Sequence, residues 1–324
     1  MPRVSSGIFC MSLLDDRYMR MALSLAEKGE GKTSPNPMVG AVLVKNEKIV
    51  GTGYHKRFGL PHAEINAIRN AGPKAQGATL YVNLEPCCCF GKTPPCTHAL
   101  IQAGIKRVVC ALADPNPKVR GRGFKKLREN GIKVDVGILK DQASKLNEMY
   151  LKFIKTRIPF LILSLAQTLD GKLITPAGDS KDLFSAKAKS ILRNLKSKVD
   201  AVLIQNRLYL NSGSENARQQ YWKTGNGAKG FVSLLDRAGK RNVTSILAQG
   251  GRENLTYLLR KRLVDKIYYF ISPRIAGKGD EPFGDLSVLT ISDSVHLKNR
   301  EIHRFSDDIL IVGYPAWRKY PKDS

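Results

Sequence analysis

Apolar residues recur at helical spacing near the start of the chain. Met19, Leu23 and Leu25, with Ala22 and Ala26, predict an amphipathic helix over residues 15 to 28, ended by the glycine-rich stretch Gly29 to Gly31. Val39 to Val44 and Ile49 to Gly51 read as strands around the turn Lys45 to Lys48, which is a hairpin pattern. A helix from Ala63, a strand Thr79 to Val82, a helix from Thr97, a strand Val108 to Leu112, a helix Gly123 to Asn130 and a strand Lys133 to Val136 then alternate. That alternation predicts an α/β unit, with helices packed on a sheet. A helix Asp141 to Phe153 follows as a connection, and Pro159 introduces a new apolar strand, Phe160 to Leu163. A second α/β unit begins there. Its pieces are a turn at Thr168 to Lys172, a helix Ala186 to Lys196, strands Ala201 to Ile204 and Ser245 to Ala248, a Gly250-Gly251 turn, a helix ending at Arg262 and a strand Lys266 to Ile271. Two domains are therefore expected, 12–147 and 159–317, joined by a linker at 148–158.

The 324 residues suffice for two ordinary domains, and a hydrophobic content of 42% allows a core in each. Of the six cysteines, five lie between Cys87 and Cys110, unlike the dispersed framework of a secreted disulfide scaffold, so a reducing setting is expected. No run approaches the roughly 18 consecutive apolar residues of a membrane span. Met1 to Cys10 has no signal-peptide core, and the expectation is a cytoplasmic protein without a membrane partner. The net charge of +25, from 53 Lys and Arg against 28 Asp and Glu, raises nucleic acid as a partner. The excess is spread over Lys152 to Arg157, Lys187 to Lys198, Arg237 to Arg241 and Arg260 to Lys266, with no aromatic stripe to stack bases, which argues against it. A phosphorylated metabolite needs only a few of these charges.

One constellation carries chemistry. His62-Ala63-Glu64 is followed, past a strand, by Pro86-Cys87 and then by Cys96. Singly, each residue has a bland explanation, since a histidine at a helix start is often a cap and cysteine is often buried for packing alone. Together they offer one imidazole, two thiolates and a carboxylate outside the ligand set. Zinc held by three protein ligands keeps a fourth position for water, whereas structural zinc is closed by four. Glu64 is then placed to move protons, the division of labour in zinc nucleobase deaminases, and the reaction implied is hydrolytic deamination. The usual Pro-Cys-x-x-Cys spacing is not met, because Phe90 stands at the second cysteine position, so the partner of Cys87 is Cys96. Cys88 and Cys89 add further thiols, with Cys87, directly after proline, the preferred ligand.

From Asp15 to about Asn147 the chain resembles the bifunctional riboflavin-biosynthesis deaminase/reductase family of the RibD type. The resemblance rests on Ser34-Pro35-Asn36-Pro37-Met38-Val39-Gly40, Gly51-x-Gly53-x-His55, His62-Ala63-Glu64, Leu84-Glu85-Pro86-Cys87, Gly91-Lys92-Thr93-Pro94-Pro95-Cys96 and Asp114-Pro115-Asn116-Pro117, in the family's order and spacing. It implies a cytidine-deaminase-like α/β/α zinc domain, with His62, Cys87 and Cys96 as zinc ligands and Glu64 as proton shuttle. It further implies that Asn36, His55, Lys92, Asp114 and Asn116 line a pocket for 2,5-diamino-6-ribosylamino-4(3H)-pyrimidinone 5′-phosphate. In that pocket Lys92 and His55 would serve as positive donors to the phosphate. Without the resemblance, Asn36 and Asp114, each beside a proline, read equally well as turn residues. Cys89 stands where the family usually has histidine, and a thiol donates and titrates near neutrality less readily than an imidazole.

The resemblance also implies a second, dihydrofolate-reductase-like α/β domain, here truncated. Its opening is present as Leu165 to Lys172 with Gly178-Asp179-Ser180. After Ile204, Gln205-Asn206-Arg207-Leu208 replaces the family's glycine-threonine turn. The stretch Gln205 to Ser245 is much shorter than the one that carries the family's central strands and part of its nicotinamide-cofactor site. Gln249 replaces a glutamate before Gly250-Gly251. Thr168, Asp170, Lys172, Gln249, Gly250 and Gly251 remain as reductase-like candidates, but NADPH-dependent reduction of 5-amino-6-(5-phosphoribosylamino)uracil is expected to be lost. Zinc is the expected cofactor, while NADPH and a homo-oligomer through the reductase-like half are left open. The competing readings are a fully bifunctional enzyme, a tRNA or nucleoside deaminase, and a non-catalytic zinc-binding pseudoenzyme.

Overall fold

Strand β1 (Gly40–Lys45) sends Ala41 and Leu43 into one core and Val42 and Val44 into another, because successive side chains of a strand point to opposite faces. A strand buried on both faces needs a layer of helices on each. The computed structural model describes residues 13–90, 94–173, 184–205, 207–211, 221–223 and 227–317, and the chain divides into two units, Met1–Lys155 and Thr156–Ser324.

In the first unit the sheet order is β2-β1-β3-β4-β5, with β2 at Lys48–Tyr54, β3 at Thr79–Val82, β4 at Arg107–Cys110 and β5 at Lys133–Val136. β1 pairs antiparallel with β2 and β3, while β3, β4 and β5 run parallel. The β1–β2 turn places Asn46 and Glu47 at φ +49° and +59°, the left-handed pair that matches the twist of a two-residue hairpin. Helices α2 (Ala63–Ala71), α3 (Cys96–Gln102) and α4 (Arg122–Glu129) cover the Leu43 face, and α1 (Leu13–Glu27) and α5 (Lys140–Leu146) cover the Val42 face. Gly53 has a specific role in this layering. A Cβ there would collide with the Ala63 carbonyl and come within 2.5 Å of the Ala67 nitrogen, so glycine lets the α2 backbone lie directly on β2.

The single helix expected over Asp141 to Phe153 is instead two, α5 and α6 (Glu148–Thr156), broken at Asn147. The buried Asn147 amide pairs with the Met38 backbone, accepting from Met38 N at 2.8 Å and donating to Met38 O at 2.9 Å. The supposed linker at 148–158 is therefore mostly helix, with Tyr150 and Phe153 buried.

The second unit is built on an eight-stranded sheet of order β12-β13-β11-β6-β10-β7-β8-β9. Its strands are β6 (Phe160–Thr168), β7 (Ala201–Ile204), β8 (Arg207–Leu210), β9 (Tyr221–Lys223), β10 (Ser245–Gln249), β11 (Lys266–Ser272), β12 (His296–Phe305) and β13 (Asp308–Ala316). The centre, β11-β6-β10-β7, is parallel, and antiparallel pairs extend it on both sides. Helices α8 (Gly227–Lys240) and α9 (Arg252–Arg260) supply Leu234, Leu235, Leu255 and Leu258 to one core, while α7 (Ala186–Lys198) packs Ala188 near Phe270 and Leu310 on another. Among the described residues, the stretch Gln205 to Ser245 adds no central strand, only β8 and β9 at the sheet's edge. β7 and β10 are direct parallel neighbours, and the intervening stretch forms β8, β9 and the crossover helix α8, so the sheet is continuous.

Candidate active site

The zinc-type residues converge from three places. His62 is the residue before α2, Cys87 follows β3 in a loop, and Cys96 is the first residue of α3. Their ligand atoms all lie within 4.8 Å of one another. His62 Nδ1 is 3.2 Å from Cys96 Sγ and 3.6 Å from Cys87 Sγ. Metal bonds of about 2.0 Å to nitrogen and 2.3 Å to sulfur, meeting at a tetrahedral angle, would hold N and S about 3.5 Å apart. The donor set therefore fits zinc. The Cys96 backbone N–H donates to Cys87 Sγ at 3.3 Å, an amide at a helix start directed at a thiolate.

Electrostatics follow from this crowding. Hydrogen bonds from Cys96 and His62 pull the Cys87 thiol down to about 4, against its burial. Cys96 is pushed the other way, first by its hydrogen bond to Cys87, which holds the proton on Cys96, and then by burial. His62 is raised by its bond to Cys87. Glu64 is buried at the second position of α2, and burial raises its carboxyl above the usual range.

Cys88 and Cys89 do not join the cluster. Cys89 Sγ lies 2.9 Å from Lys118 O and Cys88 Sγ 3.8 Å from the same oxygen, and neither thiol belongs to the trio.

One cleft contains His62, Glu64 and Cys87 together with Asn36, His55, Asp114 and Asn116. Lys92 lies outside the described residues. His55 lines the cleft but is not the positive donor expected from sequence. It is 2% exposed, burial lowers its pKa, and its Nδ1 sits 3.2 Å from Pro61 O, which can only accept. The ring is thus neutral, with the proton on Nδ1, and Nε2 accepts from Asn36 Nδ2 at 3.1 Å. His55 orients Asn36 rather than presenting charge to a phosphate. Asp114 accepts from Asn116 N at 2.9 Å, the turn bond its position beside proline suggests, and also from Tyr150 Oη at 3.0 Å.

Two polar residues of the cleft, Tyr150 and Glu85, are not among the candidates read from sequence. Tyr150 comes from α6, where no local signal marks it apart from a core position. Glu85 was visible only as part of the Leu84-Glu85-Pro86-Cys87 run, and its partners are distant in the chain.

In the second unit, Thr168, Asp170 and Lys172 form one turn. Thr168 Oγ1 donates to Asp170 Oδ1 at 2.6 Å and accepts from Lys172 N at 2.9 Å, and Asp170 accepts from Ala276 N and Gly277 N at 3.0 and 2.8 Å. Gln249 ends β10, and Gly251 caps α9. Gly178, Asp179 and Ser180 lie outside the described residues. Beside Gly250, the β7–β8 turn is held in place by Asn254 Nδ2, which donates to Gln205 O at 2.7 Å, and a Cβ on Gly251 would meet nothing within 4 Å.

The family model for the "Cytidine and deoxycytidylate deaminase zinc-binding region" matches residues 13–112, and that for the "RibD C-terminal domain" matches residues 228–311. The riboflavin biosynthesis protein RibD of Aquifex aeolicus is 38% identical over 92% of this chain and 98% of that protein. A diaminohydroxyphosphoribosylamino-pyrimidine deaminase of Buchnera aphidicola subsp. Schizaphis graminum is 52% identical over 45% of this chain and 99% of its own length. Other RibD relatives are matched over about half their length. Among solved structures, a deaminase/reductase of Thermotoga maritima superposes with a TM-score of 0.80 at 32% identity, covering 94% of this chain and 99% of that one. A zinc-type ligand trio beside a buried carboxylate, a reductase-type second unit and a full-length relative lead to one conclusion: the chain belongs to the RibD family of riboflavin-biosynthesis proteins.

Proposed function

We propose that the first unit carries out the riboflavin-pathway deamination of 2,5-diamino-6-ribosylamino-4(3H)-pyrimidinone 5′-phosphate. The observation that carries this reading is a single cleft in which the ligand trio and the non-ligand carboxylate of Glu64 meet Asn36, Asp114 and Asn116. His62, Cys87 and Cys96 would hold zinc, which when bound supplies a Lewis acid that makes water nucleophilic at neutral pH. Glu64 would take a proton from the attacking water as its oxygen bonds to the ring carbon, and return it to the amine as the C–N bond breaks and ammonia leaves. Asn36, with its Nδ2 committed to His55, keeps Oδ1 as an acceptor for an N–H group of the pyrimidine. Asp114 and Asn116 present a second polar edge across the cleft. The test is ammonia release from the diaminopyrimidinone phosphate by the purified chain. Glu64→Ala is expected to abolish release while zinc stays bound, and release unaffected by that substitution would sink the assignment.

For the second unit, the β7–β8 turn at Gln205 and the neutral Gln249 favour a reductase fold without NADPH-dependent reduction. NADPH titration of the full chain is expected to show no saturable binding. Binding accompanied by reduction of the deaminated product would establish the bifunctional enzyme instead.

A further inference from the structure

We propose that Glu85 is a positioning residue that sets the substrate loop, Asp114 to Gly123, against the zinc-ligand segment. The proposal rests on the deaminase reading of the cleft and assigns to one side chain the placement of its polar wall. Glu85 is 4% exposed and lies two residues before the ligand Cys87. Its carboxylate accepts four backbone N–H groups from the opposite loop and the start of α4. Oε2 takes Asp114 N at 3.1 Å and Gly121 N at 3.0 Å, and Oε1 takes Gly123 N at 3.0 Å and Phe124 N at 3.3 Å.

Two of these donors belong to the first turn of α4, where N–H groups have no partner inside the helix. The third, on Asp114, belongs to a residue of the cleft itself, whose carboxylate is then held from the other side by Asn116 N and Tyr150 Oη. A continuous path thus runs from Cys87 through Glu85 to Asp114 without crossing solvent. The glycines that complete the arrangement have no room for a side chain or need an uncommon backbone. A Cβ on Gly123 would strike the Pro86 carbonyl and sit 3.1 Å from Glu85 Oε1, and Gly121 has φ +74°.

Only a carboxylate serves here, since it has acceptor sites on both oxygens and no donor. An amide in the same place would turn its NH2 group toward two of the four N–H groups. The consequence is specific to substrate, because the loop carries Asp114 and Asn116 but no zinc ligand.

The test uses the zinc-loaded full chain and compares Glu85→Gln and Glu85→Asp with wild type. Glu85→Gln is expected to raise KM by about tenfold or more with kcat changed by less than about threefold and zinc content unchanged. Glu85→Asp, which keeps the acceptors on a shorter stem, is expected to fall between. Amide hydrogen exchange at Asp114, Gly121 and Gly123 should accelerate in parallel. A folded Glu85→Gln with unchanged KM overturns the proposal, as does loss of kcat and zinc at constant KM. If Glu85→Gln fails to fold, the same split in Glu85→Asp decides. Wild-type protein that releases no ammonia would overturn the deaminase reading instead, and the exchange rates alone would then decide whether Glu85 holds the loop.

Discussion

Tyr150 donates its hydroxyl to Asp114, within 3.0 Å of both carboxylate oxygens, and so ties α6 to the polar wall of the cleft. Burial raises the Asp114 carboxyl above its usual range, while the Asn116 N–H and the Tyr150 hydroxyl pull it back down. Tyr150→Phe removes one of these opposing bonds, so the Asp114 value should rise further. The acid limb of kcat/KM should then move to higher pH, with a rise in KM of about fivefold or more. An acid raised in the folded state binds its proton more tightly there than when unfolded. Its contribution to stability therefore falls as pH rises through the window above the ordinary carboxylate range, and Tyr150→Phe should extend that window upward. A pH profile of KM superimposable on wild type would refute this.

Cys88 and Cys89 bond to the Lys118 carbonyl and not to the ligand trio. Cys88→Ser and Cys89→Ser should each retain one zinc per chain by elemental analysis, whereas Cys96→Ser should lose it. Chelation should abolish ammonia release, and added zinc should restore it. Zinc lost from Cys89→Ser would place that thiol in the ligand set.

Asp15 receives both Arg107 Nη groups at 3.0 and 2.9 Å and the Tyr81 hydroxyl at 2.6 Å, while Arg107 Nε also reaches Asp135 at 2.7 Å. The Asp15 side chain is 7% exposed and that of Arg107 is 29% exposed. Asp15→Asn leaves a partly buried guanidinium short of a carboxylate and should cost about 2 kcal/mol. Asp15 does not line the cleft, so KM should be unchanged. A urea midpoint equal to that of wild type would show that solvent compensates for the lost charge.

Asp170 is held down to about 2 by the Thr168 hydroxyl and by the Ala276 and Gly277 N–H groups. The unfolded value is about 3.9, so the turn's stabilisation is complete above that pH and is lost as pH falls toward 2. The Ala276 and Gly277 amide resonances should titrate with a midpoint near the lower value. A midpoint close to 4 would mean that these bonds do not favour the ionised form.

Much of the architecture was legible because both faces of short strands are buried. The runs at residues 39–44 and 160–163 could only be strands under helices, and the Gly-x-Gly of β2 marks where α2 presses on the sheet. β12 and β13 escaped detection. β12 is largely exposed and its register shifts between Lys298 and Glu301, so the two-residue period that announces a strand is interrupted. The break at Asn147 escaped for a different reason, since its cause is Met38, far away in sequence.

The sequence by itself determined the chemistry on offer. One imidazole, two thiolates and an acidic residue beside the imidazole are side-chain identities at fixed spacings, readable before any fold is known. Only the tertiary structure decided which thiols meet His62, that His55 is a buried neutral partner of Asn36, and that Glu85 and Tyr150 hold Asp114. Direction and burial of a side chain depend on what the chain brings against it. The residues that do so here are 19 to 36 positions away, too far for any local pattern to record.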